Sequence, residues 1–202
     1  MVGLEVAEII GTLAFALSGF YVAIKDKLDL LGIFIASFLT ALGGGLVRDM
    51  IADRSPYTFT HMMPSLLVIV VILLSILLKL HLKGEIEKKF YFIISDTLGL
   101  VSFSISGAIV GLHVEFNFFG VILLALLTAV GGGVMRDILL NRVPILLTSE
   151  FYGTVSLLIG AVLFLLDRFD MMGFLSLMIV FVLGVALRLF AYYKSWNLPK
   201  IG

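Results

Sequence analysis

Two stretches of an otherwise apolar chain carry residues able to do chemistry: GGGLVRD at 43–49 and GGGVMRD at 131–137. In each, three glycines precede an Arg-Asp pair, and a proline (Pro56, Pro144) follows the Arg by eight residues. A glycine costs about 1 kcal/mol relative to alanine inside a helix, so a triplet favours a kink or a break at Gly43, Gly44 and Gly45 and again at Gly131, Gly132 and Gly133. Carbonyls opened by a break are tolerated in a membrane only against protein or water. Arg48 and Arg136 lean back over the preceding turn and bring five donors and no acceptor to such carbonyls. A charge at the centre of a membrane helix costs about 2.5–3.5 kcal/mol on insertion scales, which marks Arg48, Asp49, Arg136 and Asp137 as candidate site residues. Two roles are open to the glycines, close helix packing or the shaping of an ion path. The Arg-Asp pairs could line that path or staple the fold. Inverted symmetry also permits cross-pairing, Arg48 with Asp137 and Arg136 with Asp49.

The segments that must position these residues are membrane spans. Of 202 residues 61% are hydrophobic and 14% charged, with mean hydropathy +1.18. A soluble domain carries about 25% charged residues, so this chain has too little polar surface for water and belongs in a bilayer. The net charge is zero and no basic run with interleaved aromatics is present, which excludes nucleic acid as a partner. Cysteine is absent, which excludes disulfide frameworks and thiolate metal sites. No cleavable signal peptide is expected, because MVGLEVAEIIG carries acids where basic residues belong.

A span needs about 20 apolar residues. Seven are expected, at 4–23, 28–53, 63–82, 90–112, 117–141, 151–167 and 171–193, all helical. Lys and Arg in alternate loops divide eleven against three, which places the N-terminus outside and the C-terminus in the cytoplasm. Tyr192, Tyr193 and Trp196 fit an interfacial belt at the end of the last helix.

Residues 8–60 align with 96–148 at a constant offset of 88, without a gap. Seventeen of the 53 pairs are identical, and the glycine triplet, the Arg-Asp pair and the proline all fall in one register. The offset holds three spans, an odd number, so the second unit enters the bilayer from the opposite side. The expected architecture is an inverted 3+3 repeat, 1–89 and 90–169, with a seventh helix and short tail at 170–202. In such folds the path lies at the repeat interface near the midplane.

Ser18 and Ser106 occupy equivalent positions, each two turns after a glycine (Gly11, Gly99). They read as a packing stripe or as a hydroxyl-lined wall of the path. Glu8 and Asp96 also match and are expected to be interfacial or helix-terminal charges rather than site residues. Arg188 is expected to snorkel to the cytoplasmic face. His61, His81 and His113 are isolated, so no metal or cofactor is expected. Neither a phosphate-binding loop, a nucleophile elbow nor His-Glu-x-x-His occurs, and nothing points to an enzyme.

The doubled GGG-x-x-RD with its following prolines, in a 3+3+1 arrangement, resembles the trimeric intracellular cation (TRIC) channel family in its prokaryotic form, also grouped under a domain called glycine transporter. The resemblance covers nearly the whole chain. It implies a homotrimer with one pathway inside each protomer, bends at both triplets, and permeation by potassium and sodium. Animal members carry lipid-binding features after the second triplet and a longer charged tail. With Arg136 near that place and a tail ending at Lys200-Ile201-Gly202, the expectation is a prokaryotic plasma membrane, contact with ordinary membrane lipids, and no control by an inositol lipid. The rival expectation is a secondary transporter of glycine or another small solute, since inverted repeats are common in transporters. Each Arg-Asp pair sums to zero charge, so selectivity would come from carbonyl and hydroxyl dipoles.

Overall fold

The computed structural model of the chain describes residues 2–148 and 151–196; the expected tail beyond 196 lies outside them. Among the described residues the structure is all helical: α1 (Val2–Lys25), α2 (Leu30–Ile51), α3 (Tyr57–Thr60), α4 (Met63–Leu77), α5 (Glu85–His113), α6 (Phe118–Leu139), α7 (Ile145–Thr148), α8 (Tyr152–Arg168) and α9 (Phe174–Tyr193), with a 3-10 turn at Leu80–Leu82. Seven are of 15 residues or more and two are single turns. The 88-residue offset survives in the bounds: α2 with α6, and α3 with α7, start and stop at equivalent positions. Their starts are fixed alike. The side chain of Asp29 accepts from the Gly32 N–H at 2.8 Å, and that of Asn117 accepts from the Gly120 N–H at 2.9 Å, each an N-cap satisfying a donor the helix leaves open.

Five helices, α1, α2, α5, α6 and α9, are long and apolar enough to cross a membrane. The third member of each repeat is shorter, 15 residues in α4 and 17 in α8. At a rise of about 1.5 Å per residue these reach roughly 22 and 26 Å, short of a hydrocarbon core of about 30 Å. Each follows a one-turn helix, α3 or α7, that turns the chain back before the span begins. The outer faces are apolar and exposed, with Leu66, Leu73 and Leu77 on α4, Phe119 and Leu123 on α6, and Leu175, Val182 and Leu183 on α9. That is the arrangement of a membrane protein, whose apolar side chains face lipid.

Equivalent helices pack on one another at the centre, α1 on α5 and α2 on α6. In the first pair Phe15 stacks on Phe103 with ring centroids 5.5 Å apart. Each ring lies in the space left by the other helix's glycine. A Cβ at Gly11 would stand 2.9 Å from the Phe103 ring, and one at Gly99 would stand 2.2 Å from that of Phe15. In the second pair the backbones themselves touch. A Cβ at Gly44 would lie 2.0 Å from the Thr128 carbonyl oxygen, and one at Gly132 would lie 2.3 Å from that of Thr40.

Of the kink or break anticipated at the triplets, a break does not occur: α2 and α6 run as uninterrupted helix through all six glycines. The physical reason is that the triplets meet each other. The absent side chains let two helices cross in contact, as small residues do in membranes, and no backbone carbonyl has to be opened. Gly43 and Gly131 belong to the same crossing, since a Cβ on either would come within 3.1 and 3.3 Å of the opposite Gly132 and Gly44 Cα atoms. Gly45 and Gly133 face away from it, and the nearest atom to a Cβ there is a guanidinium nitrogen of Arg48 or Arg136, at 4.0 and 3.8 Å.

This separates the glycines experimentally. Gly44→Ala and Gly132→Ala push a methyl into a carbonyl that cannot swing aside, and should destabilise by about 1–3 kcal/mol. Gly45→Ala and Gly133→Ala meet ordinary contacts and should be neutral or stabilise by up to about 1 kcal/mol. Thermal denaturation of the four detergent-solubilised variants, followed by monodispersity, should give two lowered melting temperatures and two unchanged or raised ones.

Candidate functional site

One turn beyond each crossing glycine, the Arg-Asp pair faces the protein interior. Arg48 and Arg136 are 2% and 1% exposed. Each guanidinium folds back on the neighbouring carboxylate. Arg48 Nε and Nη2 reach Asp49 Oδ1 at 2.9 and 2.8 Å, and Arg136 does the same to Asp137 at 2.9 and 2.8 Å. The second oxygen of each carboxylate serves another purpose. Asp49 Oδ2 accepts the Tyr57 N–H at 2.9 Å, and Asp137 Oδ2 accepts the Ile145 N–H at 3.0 Å. Those amides are the first residues of α3 and α7, directly after Pro56 and Pro144. The spacing of Arg, Asp and proline therefore has a mechanical meaning: the aspartate ties the end of a membrane helix to the turn that follows it, while holding the arginine in place.

Cross-pairing does not occur. α2 and α6 run in opposite directions through the Gly44–Gly132 contact. Arg48 and Arg136, each four residues past its crossing glycine, leave the midpoint in opposite directions, by about 6 Å each at 1.5 Å per residue. Each arginine is therefore held by its own aspartate.

The remaining guanidinium nitrogens point to the other repeat or to its helices. Arg48 Nη1 donates to Glu8 Oε1 and to Ser106 Oγ, and Ser106 in turn donates to Glu8 at 3.2 Å. Glu8 is thus a partner of Arg48 and not merely an interfacial charge. The equivalent group differs. Arg136 Nη1 donates to Thr40 Oγ1 at 3.3 Å, and Asp96, equivalent to Glu8 but one methylene shorter, makes no ion pair with Arg136 within 4.0 Å among the described residues. Asp96 accepts instead from Ser18 Oγ at 3.2 Å, with Tyr152 and the charges of Arg136 and Arg188 nearby. Arg188 does not snorkel; it is 5% exposed and lies over the Tyr152 ring at 4.9 Å and the Tyr192 ring at 5.8 Å. Glu8, Asp96, Thr40, Tyr152 and Arg188 are the site residues that sequence reasoning missed or set aside. For the two acids the available signal was their match in the repeat register.

Two cavities reach toward this buried polar layer. One, of about 180 Å³, is lined by Glu5, Glu8, Thr12, Arg48, Asp49 and Tyr57, among others. The second, of about 520 Å³, is lined by Tyr21, Lys25, Lys89, Asp137, Arg142 and Tyr192, among others. They share no lining residue. Each abuts one Arg-Asp pair, and between them lie the Gly44–Gly132 crossing and the buried hydroxyls of Ser18, Ser106, Thr40 and Thr128. Thr40 and Thr128 donate to the Ala36 and Leu124 carbonyls at 2.6 Å. Among the described residues no group of three or more His, Cys, Asp or Glu could hold a metal ion.

Comparison with known proteins fits this geometry. The sequence profile of the family described as glycine transporter matches twice, at residues 5–80 and 93–168, the two matches themselves 88 residues apart. The chain is 32% identical to the UPF0126 membrane protein YvgT of Bacillus subtilis, over 97% of its own length and 95% of that protein's. To the UPF0126 inner membrane protein YadS of Escherichia coli it is 31% identical over 77% and 74%. Among solved structures, it superposes with a TM-score of 0.86 at 31% identity, covering 98% of this chain and 97% of the other, on one described as "Structural basis for conductance through TRIC cation channels". A prokaryotic TRIC channel determined in 0.5 M KCl gives 0.87 at 29%, over 96% and 98%. The chain belongs to this membrane-protein family, that of the prokaryotic TRIC channels, with their seven-helix fold.

The arginine contacts can be tested by double-mutant cycles on unfolding free energy. Arg48→Gln combined with Glu8→Gln should show coupling of about 1 kcal/mol or more, within the range for contacting groups. Arg48→Gln combined with Asp137→Asn should be additive within about 0.5 kcal/mol. Coupling in the second cycle and none in the first would contradict the arrangement.

Proposed function

We propose that the protein is a cation channel whose path runs through the protomer, from one cavity to the other past the α2–α6 crossing. The observation that carries this reading is the pair of inverted cavities that stop on either side of one buried layer of hydroxyls and guanidinium groups. A pathway at the interface of two inverted repeats needs this layout. The solved TRIC cation channels of like fold support it. Potassium and sodium are the proposed ions, a homotrimer the proposed assembly, and a prokaryotic plasma membrane, with the N-terminus outside and the C-terminus cytoplasmic, the proposed setting. The Arg48 cavity then faces out and the Lys25–Lys89 cavity faces in.

In this reading the layer closes the path, and its chemistry says what opening must do. Arg48 Nη1 spans from α2 to Ser106 on α5 and Glu8 on α1, and Arg136 Nη1 spans from α6 to Thr40 on α2. Both guanidinium groups are positive charges standing in a cation's way. Opening requires each to leave its hydroxyl partner while its aspartate keeps it satisfied, after which hydroxyls and helix carbonyls face the ion.

A glycine transporter, as the family description has it, would need to bind a carboxylate. Transporters of inverted-repeat design commonly do so with the amide ends of broken helices. Here α2 and α6 are unbroken, so their amides near the midplane are used within the helices, and both arginines are already paired.

Two measurements test the reading. Purified protein in planar bilayers under a KCl gradient should give unitary currents that reverse near the potassium equilibrium potential. Saturable, gradient-driven glycine uptake without unitary currents would overturn the channel reading. Ser106→Ala and Thr40→Val each remove one hydroxyl that holds an arginine across the path. Losing about 1.5 kcal/mol from a charge-assisted hydrogen bond should raise open probability roughly tenfold relative to wild type in single-channel records.

A further inference from the structure

We infer that the two cavities are mouths of opposite charge and that this makes the path rectify, with Lys25 and Lys89 at one mouth and Glu5 at the other setting the asymmetry. The inference rests on the channel reading and adds residues that act on conduction without touching the closed layer. In the cavity beside Arg48, three carboxylates (Glu5, Glu8, Asp49) stand against one cation. Arg48 is engaged by Asp49 and Glu8, and Glu5, in the first turn of α1, is exposed with no ion pair among the described residues. In the other cavity four cations (Lys25, Lys88, Lys89, Arg142) stand against two carboxylates, Glu85 and Asp137. Lys88 pairs with Glu85 at 3.2 Å, Arg142 with Asp26, and Asp137 with Arg136. Lys25 and Lys89 are left exposed with no ion pair among the described residues.

The imbalance is two charges in each mouth and opposite in sign. Charges around a cleft with low-dielectric walls raise or lower the local ion concentration. Their reach is about 8 Å at 0.15 M salt and about 3 Å at 1 M. Cations are therefore enriched at the Glu5 mouth and depleted at the Lys25–Lys89 mouth when salt is low, and both effects vanish when salt is high. Cation current entering at Glu5 should exceed the reverse current by about twofold or more in symmetric KCl of about 50 mM, and the two should become equal near 1 M.

The chain contains no cysteine, so a single introduced thiol reports on one mouth. In planar bilayers, Lys89→Cys and Lys25→Gln should each flatten the current–voltage curve at low salt by raising the smaller current. A cationic methanethiosulfonate reagent on Lys89→Cys should restore the wild-type curvature, while an anionic one should flatten it further. Glu5→Cys should lower the larger current and recover it with the anionic reagent, from the chamber opposite to the one that modifies Lys89→Cys. All three side chains are exposed, so folding is not at stake. Cation-selective wild-type currents that are linear at low salt, or rectification that persists at 1 M KCl or ignores the reagents, would overturn this inference and leave the channel reading standing. Absence of cation-selective currents in the wild type would overturn both.

Discussion

The structure depends on one contact, that of two helix backbones crossing at Gly44 and Gly132 with no side chain between them. At that distance a single methyl on either residue overlaps a carbonyl oxygen of the other helix. The contact fixes the interface of the two repeats and thus the point about which everything else is inverted. Arg48 and Arg136 come to lie on opposite sides of it, Thr40 and Thr128 flank it, and each cavity reaches the aspartate of one Arg-Asp pair beyond it. In a membrane, where apolar side chains gain nothing by leaving lipid for protein, this close packing is a main source of helix association.

The Arg-Asp pair works at the next level. A lone arginine buried at this depth would be untenable, but a carboxylate that takes two of its nitrogens leaves the third free to act across the interface. The same carboxylate holds the first amide of the following one-turn helix with its other oxygen. One residue thus joins the span, the turn after the proline and the arginine into one unit. Each aspartate staples the fold with one oxygen and holds its arginine with the other, and under the proposed channel reading that arginine would face the path.

Much of this was legible in the sequence because it is local or periodic. Span positions follow from hydropathy, and the inverted architecture follows from an ungapped repeat with an odd number of spans. The triplets, the Arg-Asp pairs and the prolines all fall in that register. What escaped is what depends on where two helices cross. Cross-pairing of arginines and aspartates is as consistent with the repeat as self-pairing, and only the crossing at Gly44, short of Arg48 by one turn, decides between them. Glycine's poor helix propensity argued for a kink or a break, and packing kept both helices from breaking. Glu8 meets Arg48 across 40 residues of chain, a contact without sequence signal apart from its match to Asp96.

That match also shows where the two-fold relation fails. Glutamate and aspartate differ by one methylene, and in a close-packed interior this decides the partner. Glu8 reaches its arginine, whereas Asp96 does not and accepts from Ser18, with Tyr152 nearby. The carboxylate still needs positive charge nearby, and Arg188 on α9 stands over Tyr152. The seventh helix has no counterpart in the repeat, and its one buried charge is placed where the second repeat's own arginine falls short. An inverted duplication alone would leave two equivalent arginine sites. The shorter acid and the added helix make them different.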